Sequence, residues 1–174
     1  AGLYIEDALR QGMTQYEPSD DDIDAALARV NRWNDSKDGE SVASLRKELQ
    51  STMQNHFGVF RKGDLMEEGV EKLAKLRERI ANAHLEDKSS AFNTARVEAL
   101  ELDNLLEVAE ATAIAASNRT ESRGAHSRYD FPDRDDENWL CHSIYDPKTK
   151  QLGKRDVNFE PKTVDTFQPK VRTY

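Results

Sequence analysis

The chain has 174 residues, enough for one domain with a modest core, and its 33% charged against 37% hydrophobic residues suit helices with wide solvated faces. Its net charge of −8 is uneven: residues 1–118 carry 14 Lys/Arg against 23 Asp/Glu, a net of −9, and residues 119–174 carry 11 against 10, a net of +1. An acidic helical body disfavours nucleic acid and anionic membrane as partners, and the single cysteine, Cys141, excludes an internal disulfide.

Apolar residues recur at helical steps from the start. Leu3, Ile5, Ala8 and Leu9 predict a short helix before Gly12 and the break at Glu17-Pro18. The opening Ala1-Gly2-Leu3-Tyr4-Ile5 reads as the continuation of a helix begun upstream, so the chain is expected to be a fragment. Ser19, three residues before Asp22, is a capping-box start, with Asp20 and Asp21 favoured by the helix dipole. Ile23, Ala26, Leu27, Val30 and Trp33 then form one apolar face, ended by Asn34-Asp35-Ser36-Lys37-Asp38-Gly39.

A third helix is capped by Ser41 and carries Val42, Leu45, Leu49, Met53, Phe57 and Phe60, loosened at Gly58. Methionine and aromatics at this spacing are expected to fill a helix interface rather than line a ligand pocket. Gly63-Asp64 opens a fourth helix, with Met66, Val70, Leu73, Leu76, Ile80 and Ala83 inward and the pairs Glu68/Lys72 and Glu71/Lys75 outward. The fifth begins near Asn93, runs to about Asn118 and turns Val97, Leu100, Leu105, Val108 or Ala109, Ala113 and Ala116 inward. Its length of roughly 35–40 Å should match the fourth helix to within a turn, the two lying antiparallel with the 42–57 helix beside them.

After Arg119 the apolar residues thin to 15 of 56. Turn signals from Asp146 to Gly153 separate residues 140–145 and 155–159, which alternate as a β-hairpin would. The fold class is therefore mainly α: an antiparallel bundle of about three long helices with shorter ones, followed by a small tail with a β-hairpin. The boundaries fall at 1–17, 18–118 and 119–174.

Few residues suggest chemistry. There is no G-x-G-x-x-G, no G-x-x-x-x-G-K-[ST] and no G-x-S-x-G, so no dinucleotide, phosphate or nucleophile motif. His56 and His84 fall at helix ends without a second ligand at i+4, and Cys141 and His142 would point to opposite faces of a strand, so no metal is expected. Asp130, Asp133, Asp135 and Asp136 lack the order of a calcium loop; Arg128 and Arg134 among them predict an ion-pair network instead. The Asn118-Arg119-Thr120 sequon carries no weight. What remains is Glu121, Arg123, His126, Arg128 and Arg134 around Gly124, read as a buried polar latch joining helix, tail and a neighbouring domain.

The run Phe92-Asn93-Thr94 with Leu100-Glu101-Leu102-Asp103-Asn104-Leu105-Leu106, the motif Glu121-Ser122-Arg123-Gly124-Ala125-His126 and the ending Pro169-Lys170-Val171-Arg172-Thr173-Tyr174 resemble the carboxy-terminal region of the succinate dehydrogenase flavoprotein family. Fumarate reductase flavoproteins and L-aspartate oxidase are similar at Glu121–His126. The resemblance covers essentially the whole chain and implies a helical domain followed by a small tail. It further implies an oxidoreductase subunit that carries FAD, oxidises succinate to fumarate and passes electrons to an iron–sulfur subunit and membrane anchor subunits that reduce quinone. That subunit would sit peripherally on the cytoplasmic side of the inner membrane. The family's flavin-attachment and catalytic residues would precede Ala1, so no catalytic, cofactor-binding or metal residue is assigned here, no bound flavin is expected, and residues 1–17 would end a helix leaving the flavin domain. The alternatives are a fumarate reductase or L-aspartate oxidase flavoprotein fragment, or a free-standing helical adaptor that recruits a protein partner.

Overall fold

Local capping starts the helices where the side chains are placed for it. In the computed structural model, which describes residues 1–14 and 16–170, the Ser19 hydroxyl accepts from the Asp22 N–H and the Asp22 carboxylate accepts from the Ser19 N–H, both within 3.3 Å. This reciprocal pair opens α2 (Asp20–Asp35) after the short α1 (Gly2–Arg10). Ser41 caps α3 (Val42–Phe57) by accepting from the Ser44 N–H, and Asn93 caps α5 (Thr94–Asn118) by accepting from the Arg96 N–H. Between them, β1 (Phe60–Arg61) leads into α4 (Gly63–Ala81).

Residues 1–35 form one unit and residues 36–174 a second. In the first, Trp33 is buried and the Arg32 guanidinium lies 3.9 Å from its ring centroid, whereas Ile23, Leu27 and Val30 are exposed. The predicted apolar face of α2 is thus uncovered along most of its length.

The second unit holds the bundle. Arg79 of α4 pairs with Glu48 of α3, while Gly69, earlier in α4, lies against Phe57 at the end of α3, so the two helices run antiparallel. Arg77 reaches Glu107 and Glu110 of α5, making α4 and α5 antiparallel, and Arg46 meets Glu101, setting α3 alongside α5 in the same direction. The core between them is Leu45, Leu49, Phe57, Met66, Leu73, Leu76, Ile80, Leu102 and Leu106, as a three-helix bundle requires. A β-carbon on Gly69 would stand 2.5 Å from the Phe57 ring, so only glycine lets α3 approach this closely. The outward pair Glu68–Lys72 forms at 2.7 Å.

Three expectations are corrected. Phe60 does not continue α3: the helix ends at Phe57, the chain turns at Gly58, and Phe60 stands 67% exposed on β1. On α5 the predicted Ala109, Ala113 and Ala116 are buried, but Val97, Leu105 and Val108 face out, and Ala99, Leu102 and Leu106 take the inward positions of the first half. Finally, α4 has 19 residues and α5 has 25, so at ~1.5 Å per residue α5 is the longer by more than a turn.

The remainder is short. β2 (Ser127–Arg128) pairs in parallel with β1, one-turn α6 (Asp136–Trp139) follows, and β3 (Cys141–Asp146) pairs antiparallel with β4 (Gln151–Asp156). The second strand begins at Gln151, earlier than predicted, because Lys150 takes a left-handed φ of 57° and lets the turn close over four residues, 147–150. The hairpin leans on α5, with Lys150 near Glu110. The family ending at 171–174 lies outside the described residues. No helix among the described residues is long and apolar enough to cross a membrane.

Candidate functional site

At the end of α5 the backbone runs directly into a tight turn. Arg123 and His126 exchange both backbone hydrogen bonds, at 2.8 and 3.0 Å, across Gly124-Ala125. Gly124 adopts φ +57°, the left-handed backbone that a primed hairpin turn demands at its first central residue. The turn aims the chain back along β1, where Phe60 registers with Ser127 and Arg61 with Arg128.

Around this turn the predicted latch residues fall into two linked clusters. In the first, Glu121 is fully buried and its carboxylate accepts from Arg119, from Arg123 at 2.8 and 2.9 Å, and from the Asp135 N–H at 2.9 Å. Burial pushes its pKa up, but these donors outweigh it and hold the carboxyl below its ordinary value. Arg123 continues to Asp136 at 2.6 Å, and Asp136 also pairs with Arg134, whose other arm donates to the Lys170 carbonyl.

In the second cluster, buried Arg128 grips Asp130 with a two-pronged contact at 2.6 and 2.7 Å and donates to the Ser117 and Arg119 carbonyls. It therefore satisfies free carbonyls at the end of α5. Asp130 in turn accepts from the Gly63 N–H at the start of α4; Arg128 chiefly holds its carboxyl far below the usual range. His126 sits between: its Nε2–H donates to the Arg119 carbonyl at 3.0 Å, and its Nδ1 accepts from Arg61 at 2.7 Å.

All five predicted residues are thus brought into one region, joined by a residue the prediction left out. Arg119 links the clusters, its guanidinium on Glu121 and its carbonyl under His126 and Arg128, while also lying 5.0 Å from the Trp139 ring centroid. Trp139 takes Lys154 at 3.8 Å and donates from its indole N–H to Thr120. Arg61 was missed as well, whereas Asp130 and Asp136 were expected only as members of an ion-pair network with Arg128 and Arg134. Arg61 carries no local signal, being 65 residues from His126.

The predicted ion-pair network of the acidic run forms through Arg128–Asp130 and Arg134–Asp136. His56 is a buried structural side chain: Nδ1–H donates to the Thr52 carbonyl and Nε2 accepts from Lys72. His84 lies beyond α4, with its backbone N–H on the Glu40 carbonyl. Among the described residues no cluster of three or more His, Cys, Asp or Glu could hold a metal.

The network predicts a pH dependence. Burial lowers the His126 pKa below the ordinary imidazole value of 6.5; the hydrogen bond to the Arg119 carbonyl opposes this, and the charges of Arg61, Arg128 and Arg119 add to it. A group with a depressed folded pKa takes up protons more readily once unfolded. Stability should therefore be complete above pH 6.5 and fall as pH drops below it. Urea titrations at about pH 7.5 and about pH 5.5 should show this loss, and His126→Gln should flatten it; an unchanged slope in the variant would place the effect elsewhere.

Comparison with known proteins gives this geometry its context. Residues 46–174 match the family described as fumarate reductase flavoprotein C-term. The chain is 50% identical over 171 residues to a succinate dehydrogenase flavoprotein subunit of Coxiella burnetii, covering 98% of this chain and 29% of that subunit. It is 38% identical over 136 residues to a fumarate reductase flavoprotein subunit of Mycobacterium tuberculosis, covering 78% of this chain and 23% of the relative. A solved E. coli quinol fumarate reductase chain superimposes with a TM-score of 0.76 at 33% identity, over 94% of this chain and 29% of that one. The chain thus spans under a third of the length of these relatives. Helical bundle, arginine-rich turn and hairpin together belong to the carboxy-terminal region of the succinate dehydrogenase and fumarate reductase flavoprotein family, and this chain is a member of it.

Proposed function

We propose that the chain is the carboxy-terminal part of a succinate dehydrogenase flavoprotein subunit and acts there as a non-catalytic brace on the flavin-binding domain. The complete subunit would oxidise succinate to fumarate at FAD and pass electrons through an iron–sulfur subunit to quinone, as a peripheral member of a membrane complex on its cytoplasmic side. In this reading residues 1–17 lead out of the flavin domain, residues 18–118 form the bundle, and residues 119–174 carry the latch and tail. The observation that carries the brace role is the closure of the charge network. Glu121, Arg123, Arg128 and Arg134 are each held by groups within the chain, and both ring nitrogens of His126 are engaged. No residue there is poised as nucleophile or general base.

The residues present do not fit a flavin. A pyrophosphate is held by free backbone N–H groups at a helix start or by free cations, but here the glycine turn opens no helix and the arginines of the motif face carboxylates. These residues therefore position rather than react. Arg119 and Arg128 fix the end of α5, Asp130 fixes the start of α4, and Glu121 holds the turn to α6.

In the complete flavin-loaded subunit, Arg123→Ala should reduce flavin retention or thermal stability more than it changes KM for succinate. A selective rise in KM would instead move Arg123 into the active site. A fumarate-reducing direction is the second reading, favoured by the fumarate reductase relative and solved structure.

A further inference from the structure

We infer that the surface built from Val59, Phe60, Arg61, Gly124 and Tyr129 is the face that docks onto the flavin-binding remainder of the subunit, and that Arg61 receives a carboxylate from it. This rests on the brace reading above. The apolar part of the surface is unusually open: Val59 is 68%, Phe60 67% and Tyr129 68% exposed. It is also ordered before any partner arrives. The rings of Phe60 and Tyr129 stack at 5.5 Å with 26° between planes, and the paired β1 and β2 hold both backbones, with the Tyr129 N–H on the Arg61 carbonyl. Contiguous exposed aromatics fixed in this way mark an interface more than scattered surface residues do.

Beside the rings lies a cleft of about 510 Å³, lined by Phe57, Gly58, Arg61, Gly124 and Ser127. A β-carbon at Gly124 would meet nothing within 4 Å, so this rim is open to close approach by another backbone. The cleft holds a cation whose charge is not answered. Arg61 donates to the Phe57 and Gly58 carbonyls and to His126 Nδ1, all neutral groups, and no carboxylate pairs with it among the described residues. Arg119, Arg123, Arg128 and Arg134 around it each have a carboxylate. Burial lowers the Arg61 pKa, as expected for a half-buried charge that lacks its counter-ion.

The occupant that fits is a segment presenting an acidic side chain next to apolar ones. A second copy of this acidic chain could offer such chemistry. The flavin-binding portion has the advantage of a tether, since the relatives continue over the other 71% of their length in the same polypeptide (100% less the 29% covered). The exposed α5 stripe of Val97, Leu105 and Val108 is the competing face.

The test is site-specific photocross-linking in the complete, flavin-loaded subunit, with the reactive group placed at Phe60 or at Val108. Cross-linking from Phe60 into the flavin-binding portion, near an acidic residue, is the expected result. Reaction from Val108 alone would leave the brace reading standing and overturn this docking face. Reaction from neither, or only between two copies, would overturn both. Arg61→Gln should cut the yield from Phe60 roughly tenfold and Arg61→Lys less, while Phe60→Ser should lower the melting temperature of the complete subunit but not of the 174-residue chain. If Phe60→Ser leaves both unchanged, the face is not used.

Discussion

Glu121→Ala should lower the stability of the chain by about 3–5 kcal/mol, the cost of stranding buried cations that have lost their shared anion. For a chain of this size that is a fall in melting temperature on the order of 10 °C. The reasoning starts from burial: Glu121 is fully enclosed, and its two oxygens meet Arg119, Arg123 and the Asp135 N–H. Removing it leaves Arg119 without a carboxylate and Arg123 with Asp136 alone, and frees the segment entering α6. Glu121→Gln keeps an acceptor and should cost less. Its depressed pKa has a sign that can be checked separately. Its stabilisation is present above the ordinary carboxyl value of 4.5 and disappears as pH falls through the lower folded value, below the window in which His126 acts. Thermal unfolding of Glu121→Ala within about 2 °C of the parent would mean that the network organises the turn without stabilising it.

Gly39→Ala is expected to cost roughly 3 kcal/mol, from two additive sources. At φ +134° the backbone is in a region nearly closed to residues with a β-carbon, and that carbon would stand 2.0 Å from the Asn82 carbonyl oxygen. Neither side of the clash is a movable side chain. The segment must lift, and with it the contacts that fasten residues 36–41 to the exit of α4: the His84 N–H on the Glu40 carbonyl, the Ser41–His84 bridge and Lys88 on Ser36. Hydrogen exchange should show this directly, with the His84 amide losing protection before the bundle core does. Protection equal to that of the parent chain would rule the clash out.

What the sequence reveals about this fold is what is local. Ser19 with Asp22, Ser41 and Asn93 act as caps because their partners lie three residues away, a distance fixed by helix geometry alone. The alternation of β3 is equally local, with Cys141 half-buried and His142 exposed. Where two faces of a helix both carry apolar residues, spacing alone has no means of choosing between them. On α5 it takes Val97, Leu105 and Val108 over Ala99, Leu102 and Leu106, while Ala113 and Ala116 are read correctly. The motif from Glu121 to Arg134 is conspicuous as a run of donors and acceptors, so its residues can be named in advance. Their pairing cannot. Arg61 reaches His126 only because β1 and β2 lie side by side, and Asp130 caps α4 only because α5 returns to the start of that helix.

Trp139 gives the molecule an optical gauge of its own. The indole is wedged between the Arg119 and Lys154 cations and tied to Thr120, whereas the other tryptophan, Trp33, belongs to the unit formed by residues 1–35. Substituting Trp33 with phenylalanine would leave a single tryptophan, and the shift of its emission to longer wavelength would record water reaching the indole as the cations let go.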